Sequence, residues 1–176
     1  MKKIIFTAVL LSFALSAAGC GYTTHPGYPA RLKTIYIEPF ENNINYTEDL
    51  NRGLYVPLLE VKVRDAVIDR FQFDGHLRIA KPEDADVILK GSLTGFSRDV
   101  LRRTESDDVE EYRIQVIVDL TLIERVPNTT FWEEKGFAGE STYFLSGPSA
   151  KSEAAAIDEA LVDLGRRVVE RGIESW

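Results

Sequence analysis

Apolar and polar side chains alternate almost strictly over residues 112–122, with Tyr112, Ile114, Val116, Val118, Leu120 and Leu122 set against Arg113, Gln115, Asp119 and Thr121. A period of two predicts a long strand with one packed face and one wet face. Pro127 and Asn128 turn this strand back into another over 130–144, and residues 102–108 form a similar polar loop ahead of it. The stretch before that loop, 86–101, also reads mostly as strand. Gly91 and Gly95 inside it suggest a bulge or the close approach of another backbone. These three strands form a meander. Nearer the start, residues 33–40 (KTIYIEPF) place Ile35 and Ile37 on one face and Tyr36 and Glu38 on the other, a first strand kept short by Pro39. Another short strand is expected over 76–80.

Two segments change period from two to between three and four. Leu59, Val63, Ala66, Val67, Arg70 and Phe71 predict a helix over 57–72, with Pro57 in its first turn and Asp74-Gly75 ending it. Ala154, Ile157, Ala160, Leu161, Leu164 and Val168 predict a second helix over 150–173, capped by Ser149 or Ser152. Residues 41–51, polar and rich in Asn, read as a loop. The fold class is therefore α+β: a two-layer sandwich with two helices packed on one face of a four-stranded, mostly antiparallel sheet.

The first residues belong to a different kind of element. Lys2 and Lys3 precede an apolar run over 4–15, and Ala17-Ala18-Gly19 lead into Cys20, the one cysteine of the chain. A charged start, a short apolar core and small residues before a cut make an export leader, and the core is too short to span a bilayer comfortably. The segment resembles bacterial lipoprotein leaders, in which such a cysteine carries a diacylglyceryl group; the alternative is an ordinary signal peptide leaving a free thiol. Two or three acyl chains anchor a protein stably where one does not. Gly21, in place of Asp, is compatible in such lipoproteins with sorting to the outer membrane. Residues 1–19 are thus expected to be a signal peptide and 20–32, with Pro26, Gly27 and Pro29, a lipid-anchored leash. Residues 33–176 form a single domain.

Charge and chemistry narrow the functional classes. The chain holds 21 basic and 28 acidic side chains, and loss of Lys2 and Lys3 with the leader makes the balance more negative. Such a surface repels nucleic acid, so no nucleic-acid partner is expected. Catalysis needs a nucleophile with a base beside it; of the two histidines, His25 lies in the leash and His76 in a turn. Neither has a second histidine at metal-binding spacing, so no metal or cofactor is expected. Asp107, Asp108, Glu110 and Glu111 lack the alternation and central glycine of a calcium loop and read as a solvated hairpin tip. Glu133 and Glu134 point to opposite faces of a strand. The domain reads as a non-enzyme.

Several pieces together resemble the LptE family: CGYTTHPGYP after the leader, KTIYIEPFENN, FDGHLRIA, ADVILKGSL, EYRIQVIVDLTLIE and a closing helix ending in Trp176. The resemblance implies an outer-membrane lipoprotein that pairs with an LptD-type β-barrel, plugs its lumen, helps it assemble and contacts lipopolysaccharide on its way to the cell surface. It also implies that basic residues in the loop before the long strand, here Arg102 and Arg103, and in the link to the last helix, here Lys151, bind the glycolipid. The alternative reading is a periplasmic lipoprotein that activates a cell-wall synthesis enzyme, which would need a long tether after Cys20.

Overall fold

The computed structural model describes residues 31–46 and 55–174; the expected leader, Cys20, the leash up to residue 30, part of the 41–51 loop and Trp176 lie outside the described residues. The strands are β1 (Thr34–Ile37), β2 (Glu41–Asn42), β3 (Arg78–Ile79), β4 (Val87–Arg103), β5 (Val109–Glu124) and β6 (Thr129–Phe144), and the helices are α1 (Leu59–Asp74) and α2 (Glu153–Glu174).

The sheet corrects the expectation of four mostly antiparallel strands. It has six strands in the order β3-β1-β4-β5-β6, with β2 also paired to β4. β1 pairs parallel with both β3 and β4, and β2 pairs parallel with β4. The physical reason lies in the connections. α1 carries the chain back past the sheet before β3 starts, and a return of that kind makes β1 and β3 parallel. Alternation along a strand reveals which side chains share a face, not the direction of its neighbours.

β4, β5 and β6 form the expected antiparallel meander. The bulge foreseen near the glycines falls between Leu93 and Gly95, where the register with β5 shifts. One extra residue reverses the parity of β4, which is why Leu93 and Phe96, three apart, both face the core. At Gly91 the approaching group is a side chain: the Phe40 ring lies over it, where an added Cβ would fall 2.3 Å from the ring.

A single core joins the inward face of the sheet to both helices. α1 contributes Leu59, Val63, Val67 and Phe71, and α2 contributes Ala156, Ile157, Ala160, Leu161, Leu164, Val168 and Val169. The α2 stripe therefore begins at Ala156, while Ala154 is exposed. Gly75, in the left-handed region, ends α1 by donating its N–H to the Phe71 carbonyl at 3.0 Å. Of the two candidate caps for α2, Ser152 fills the role: its Oγ accepts the Ala155 N–H at 3.1 Å.

Arg31 and Leu32 already belong to the packed domain. Leu32 is buried, and Arg31 makes a two-pronged contact with the Glu124 carboxylate at 3.1 and 2.8 Å. Beside them the Asp86 carboxylate accepts the Lys33 N–H at 2.8 Å, the Thr34 N–H at 3.0 Å and the Thr34 hydroxyl at 2.9 Å. The Lys33 amide, ahead of the Thr34 donors, holds the Asp86 carboxyl below its ordinary range against the opposing effect of burial. A depressed acid stabilises the fold fully above its unfolded pKa, and that stabilisation is lost as pH falls through the folded value. Asp86→Asn is therefore expected to cost about 1–2 kcal/mol at neutral pH. Paired thermal melts should show the gap closing as pH drops through and below the ordinary aspartate range.

Candidate functional site

The far ends of β4 and β5 run out beyond the core. From Asp99 to Arg103 every β4 residue is exposed, and the turn that joins it to β5 closes through Thr104 N–H to the Asp108 carbonyl at 2.8 Å and Asp107 N–H to the Thr104 carbonyl at 3.0 Å. The result is a hairpin arm carrying Arg102 and Arg103. After β6, the link to α2 folds back against that strand. Ala150 bridges to Phe144, and the Lys151 N–H reaches the Phe144 carbonyl at 3.4 Å.

Phe144 connects the two regions singled out by the family resemblance. The Arg102 guanidinium lies over its ring at 5.4 Å, and its carbonyl holds the backbone of Lys151. Arg102, Arg103 and Lys151 therefore share one end of the sheet.

Each of these cations has a carboxylate of its own. Arg102 Nε is 3.6 Å from Oε2 of Glu111, a buried carboxylate. Arg103 Nη1 donates to the Asp107 carbonyl at 2.9 Å and lies 3.6 Å from its Oδ1. Lys151 Nζ contacts the Glu159 carboxylate and the Ser141 hydroxyl at 3.3 Å. The Lys151 ammonium, followed by the Ser141 hydroxyl, holds the Glu159 carboxyl below its ordinary range. The Arg103–Asp107 pair is exposed on both sides and contributes little stability, whereas parting Arg102 from Glu111 would leave a buried carboxylate unpaired.

A second cluster at the same end was not singled out from sequence. Arg98 Nη1 meets Glu153 Oε2 at 2.7 Å and its guanidinium lies 5.3 Å from the Tyr112 ring. Tyr112 stacks on Tyr143 with ring centroids 5.6 Å apart. Burial, and then the Glu153 charge, raise the Tyr143 pKa above its ordinary value. These contacts fasten the first turn of α2 to the sheet, behind the arm. Val100, Leu101 and Leu145 are exposed in the same region, so this end presents apolar surface beside its arginines. The sequence signal was RDVLRR, two aliphatic residues among charges, though only the register brings Tyr112 and Tyr143 beside it.

Of the residues weighed for catalysis, His25 lies outside the described residues and the others meet charged neighbours. His76 Nδ1 is 2.8 Å from Asp74 Oδ2, closing the turn after α1. Glu134 pairs with Arg171 at 2.8 Å, whereas Glu133 lies 3.8 Å from Lys135. Among the described residues no helix is long and apolar enough to cross a membrane. Cys20 lies outside the described residues.

Comparison with solved structures supports the fold alone, because identities are low. The hypothetical protein CT253 from Chlamydia trachomatis is 13% identical with a TM-score of 0.55, covering 82% of this chain and 97% of its own. Protein XCC0632 from Xanthomonas campestris is 12% identical with a TM-score of 0.54, covering 84% and 90%. A minor lipoprotein from Acinetobacter baumannii is 12% identical with a TM-score of 0.53, covering 81% and 94%. A search of curated proteins finds no match. A family model described as LptE, lipopolysaccharide-assembly, matches residues 32–171. Because that match takes in the whole sheet and nearly all of both helices, the chain belongs to the LptE family of lipopolysaccharide-assembly proteins.

Proposed function

We propose that the mature chain is an outer-membrane lipoprotein, anchored through Cys20 after removal of residues 1–19, that plugs an LptD-type β-barrel and assists both its assembly and the passage of lipopolysaccharide. The observation that carries this reading is the uncovered face of the sheet. Among the described residues, helices pack on one side only; the other presents polar cross-strand rows such as Lys90, Thr121 and Glu133; Ser97, Gln115 and Glu140; and Asp99, Arg113 and Thr142, together with one apolar row of Tyr36, Ile88 and Ile123. A large barrel has a polar lumen that leaks unless something occupies it, and a polar sheet face suits that wall. With 17 residues in β4, the meander is roughly 55 Å long, more than the about 40–45 Å of a bilayer with its headgroups.

Tether length weighs against the activator reading. The fold grips the chain at Arg31, and residues 21–30 extend at most about 36 Å from Cys20. That reach favours a partner in the membrane itself. Purification through a C-terminal tag in mild detergent should recover one large barrel protein whose gel mobility changes on heating; recovery of a peptidoglycan synthase in its place would favour the activator.

Arg102, Arg103 and Lys151 are the proposed contacts for the phosphorylated sugars of lipopolysaccharide, with Arg103 exchanging its exposed Asp107 partner for a phosphate. Charge reversal by Arg103→Glu with Lys151→Glu should weaken glycolipid binding about tenfold and leave barrel association intact. Unchanged binding of purified lipopolysaccharide would remove these residues from the site.

A further inference from the structure

The cations at the arm end of the sheet belong to two elements. Arg102 and Arg103 close β4, whereas Lys151 lies in the link just ahead of α2. Sequence separates the two groups by nearly fifty residues, so the distance between them is set by whatever joins β4 to α2. Among the described residues, one ion pair does so: Arg98 Nη1 meets Glu153 Oε2 at 2.7 Å. Arg98 lies four residues before Arg102 on the same strand, and Glu153, the first residue of α2, lies two after Lys151.

Both ends of this pair rest on fixed supports. The Tyr143 hydroxyl, on a side chain only 3% exposed, donates to the same Glu153 oxygen at 3.3 Å. The Arg98 guanidinium lies 5.3 Å from the Tyr112 ring, which stacks on Tyr143 with centroids 5.6 Å apart. Lys151 itself is held more loosely. Its N–H reaches the Phe144 carbonyl at 3.4 Å, near the limit of a hydrogen bond. Its ammonium rests on the Ser141 hydroxyl and on Glu159, a carboxylate 55% exposed that water can solvate once it is released. A lysine that turns to a phosphate gives up both partners of its head, and its reach is then decided by its backbone, which the start of α2 controls.

On the reading of Lys151 as a glycolipid contact, on which this rests, we infer that Arg98 is the positioning residue of that contact: through Glu153 it holds the start of α2 where Lys151 and the arm cations of β4 meet one ligand together. The pair is 37% exposed on both sides, so it adds little to stability. Position and stability are therefore separable by experiment.

The test measures binding of purified lipopolysaccharide to the full chain in detergent. Arg98→Gln should weaken binding about fivefold and cost nothing further once Lys151→Gln is in place, the non-additivity of residues that act through one another. Arg98→Lys should restore most of the loss, because an ammonium still pairs with Glu153. Glu153→Gln should reproduce the loss by an independent route if Arg98→Gln fails to fold. Hydrogen exchange over residues 150–156 should quicken in Arg98→Gln while the melting temperature moves by no more than about 4 °C. Undiminished binding in Arg98→Gln and Glu153→Gln would overturn the inference, as would unchanged exchange, no rescue by Arg98→Lys, or an equal loss on top of Lys151→Gln. Undiminished binding in Lys151→Gln alone would remove Lys151 from the site and the inference with it. Weakened binding there with none lost at Arg98 would sink the inference and leave the glycolipid reading standing.

Discussion

Gly139→Val is expected to lower stability by about 3 kcal/mol, the upper end of what overpacking a core costs. Gly139 lies on β6 where α2 crosses it. A Cβ there would fall 2.4 Å from Leu164 Cβ, 2.5 Å from the Ala160 carbonyl oxygen and 2.6 Å from the Leu164 nitrogen. Two of these are backbone atoms of a helix, so the side chain can be accommodated only by lifting α2 off the sheet. That shift would disturb Glu140 N–H, which donates to Asp163 at 3.1 Å, and Arg167, which donates to the Ala138 carbonyl. Those two contacts occupy the free edge of the last strand, and losing them exposes an edge able to pair with another chain. A fall in melting temperature of roughly 6–12 °C is expected, with aggregation on unfolding. Gly91→Ala supplies the contrast: its close neighbour is the far end of the Phe40 ring, which can swing aside, so the loss there should be smaller. Equal losses at the two positions would mean that α2 does not press on β6 as described.

Cys20→Ser is expected to abolish acylation and, in cells depleted of the barrel partner, the association with the outer membrane. Each buried methylene contributes about 0.8 kcal/mol to membrane binding, and two or three long chains together make the attachment effectively stable. Among the described residues no helix is long and apolar enough to cross a membrane, which leaves the proposed barrel partner as the other hold on the outer membrane. Metabolic labelling with palmitate should mark the natural protein and leave the variant unlabelled. In sucrose-gradient fractionation of such depleted cells the variant should leave the outer-membrane band while the natural protein stays in it. Labelling of the variant, or outer-membrane recovery equal to that of the natural protein, would place the anchor elsewhere.

Much of the fold was legible because its larger elements repeat. The alternation from Tyr112 to Leu122 extends into β5, and the stripe from Leu59 to Phe71 lies on the buried face of α1. What escaped was non-local or short. β2, two residues long, is too short to carry a period, whereas β3 falls inside the short strand expected over 76–80; the parallel pairings of β1 depend on where α1 returns the chain. Phe40 was visible only as the end of a strand; that it covers Gly91 depends on β1 lying beside β4. The site divides in the same way. Arg102, Arg103 and Lys151 came from the family resemblance, and the sequence offered no hint that Phe144 would connect them or that Glu111 and Glu159 would pair with them.

The reading of this chain as a lumen plug is tested most directly by a benzophenone probe at Gln115, in the middle of the uncovered sheet face, activated in intact cells. The expected product is a covalent adduct with a β-barrel protein whose gel mobility shifts on heating, with the crosslinked peptide coming from the barrel's inward-facing residues. Adducts with a peptidoglycan synthase and none with a barrel would contradict it.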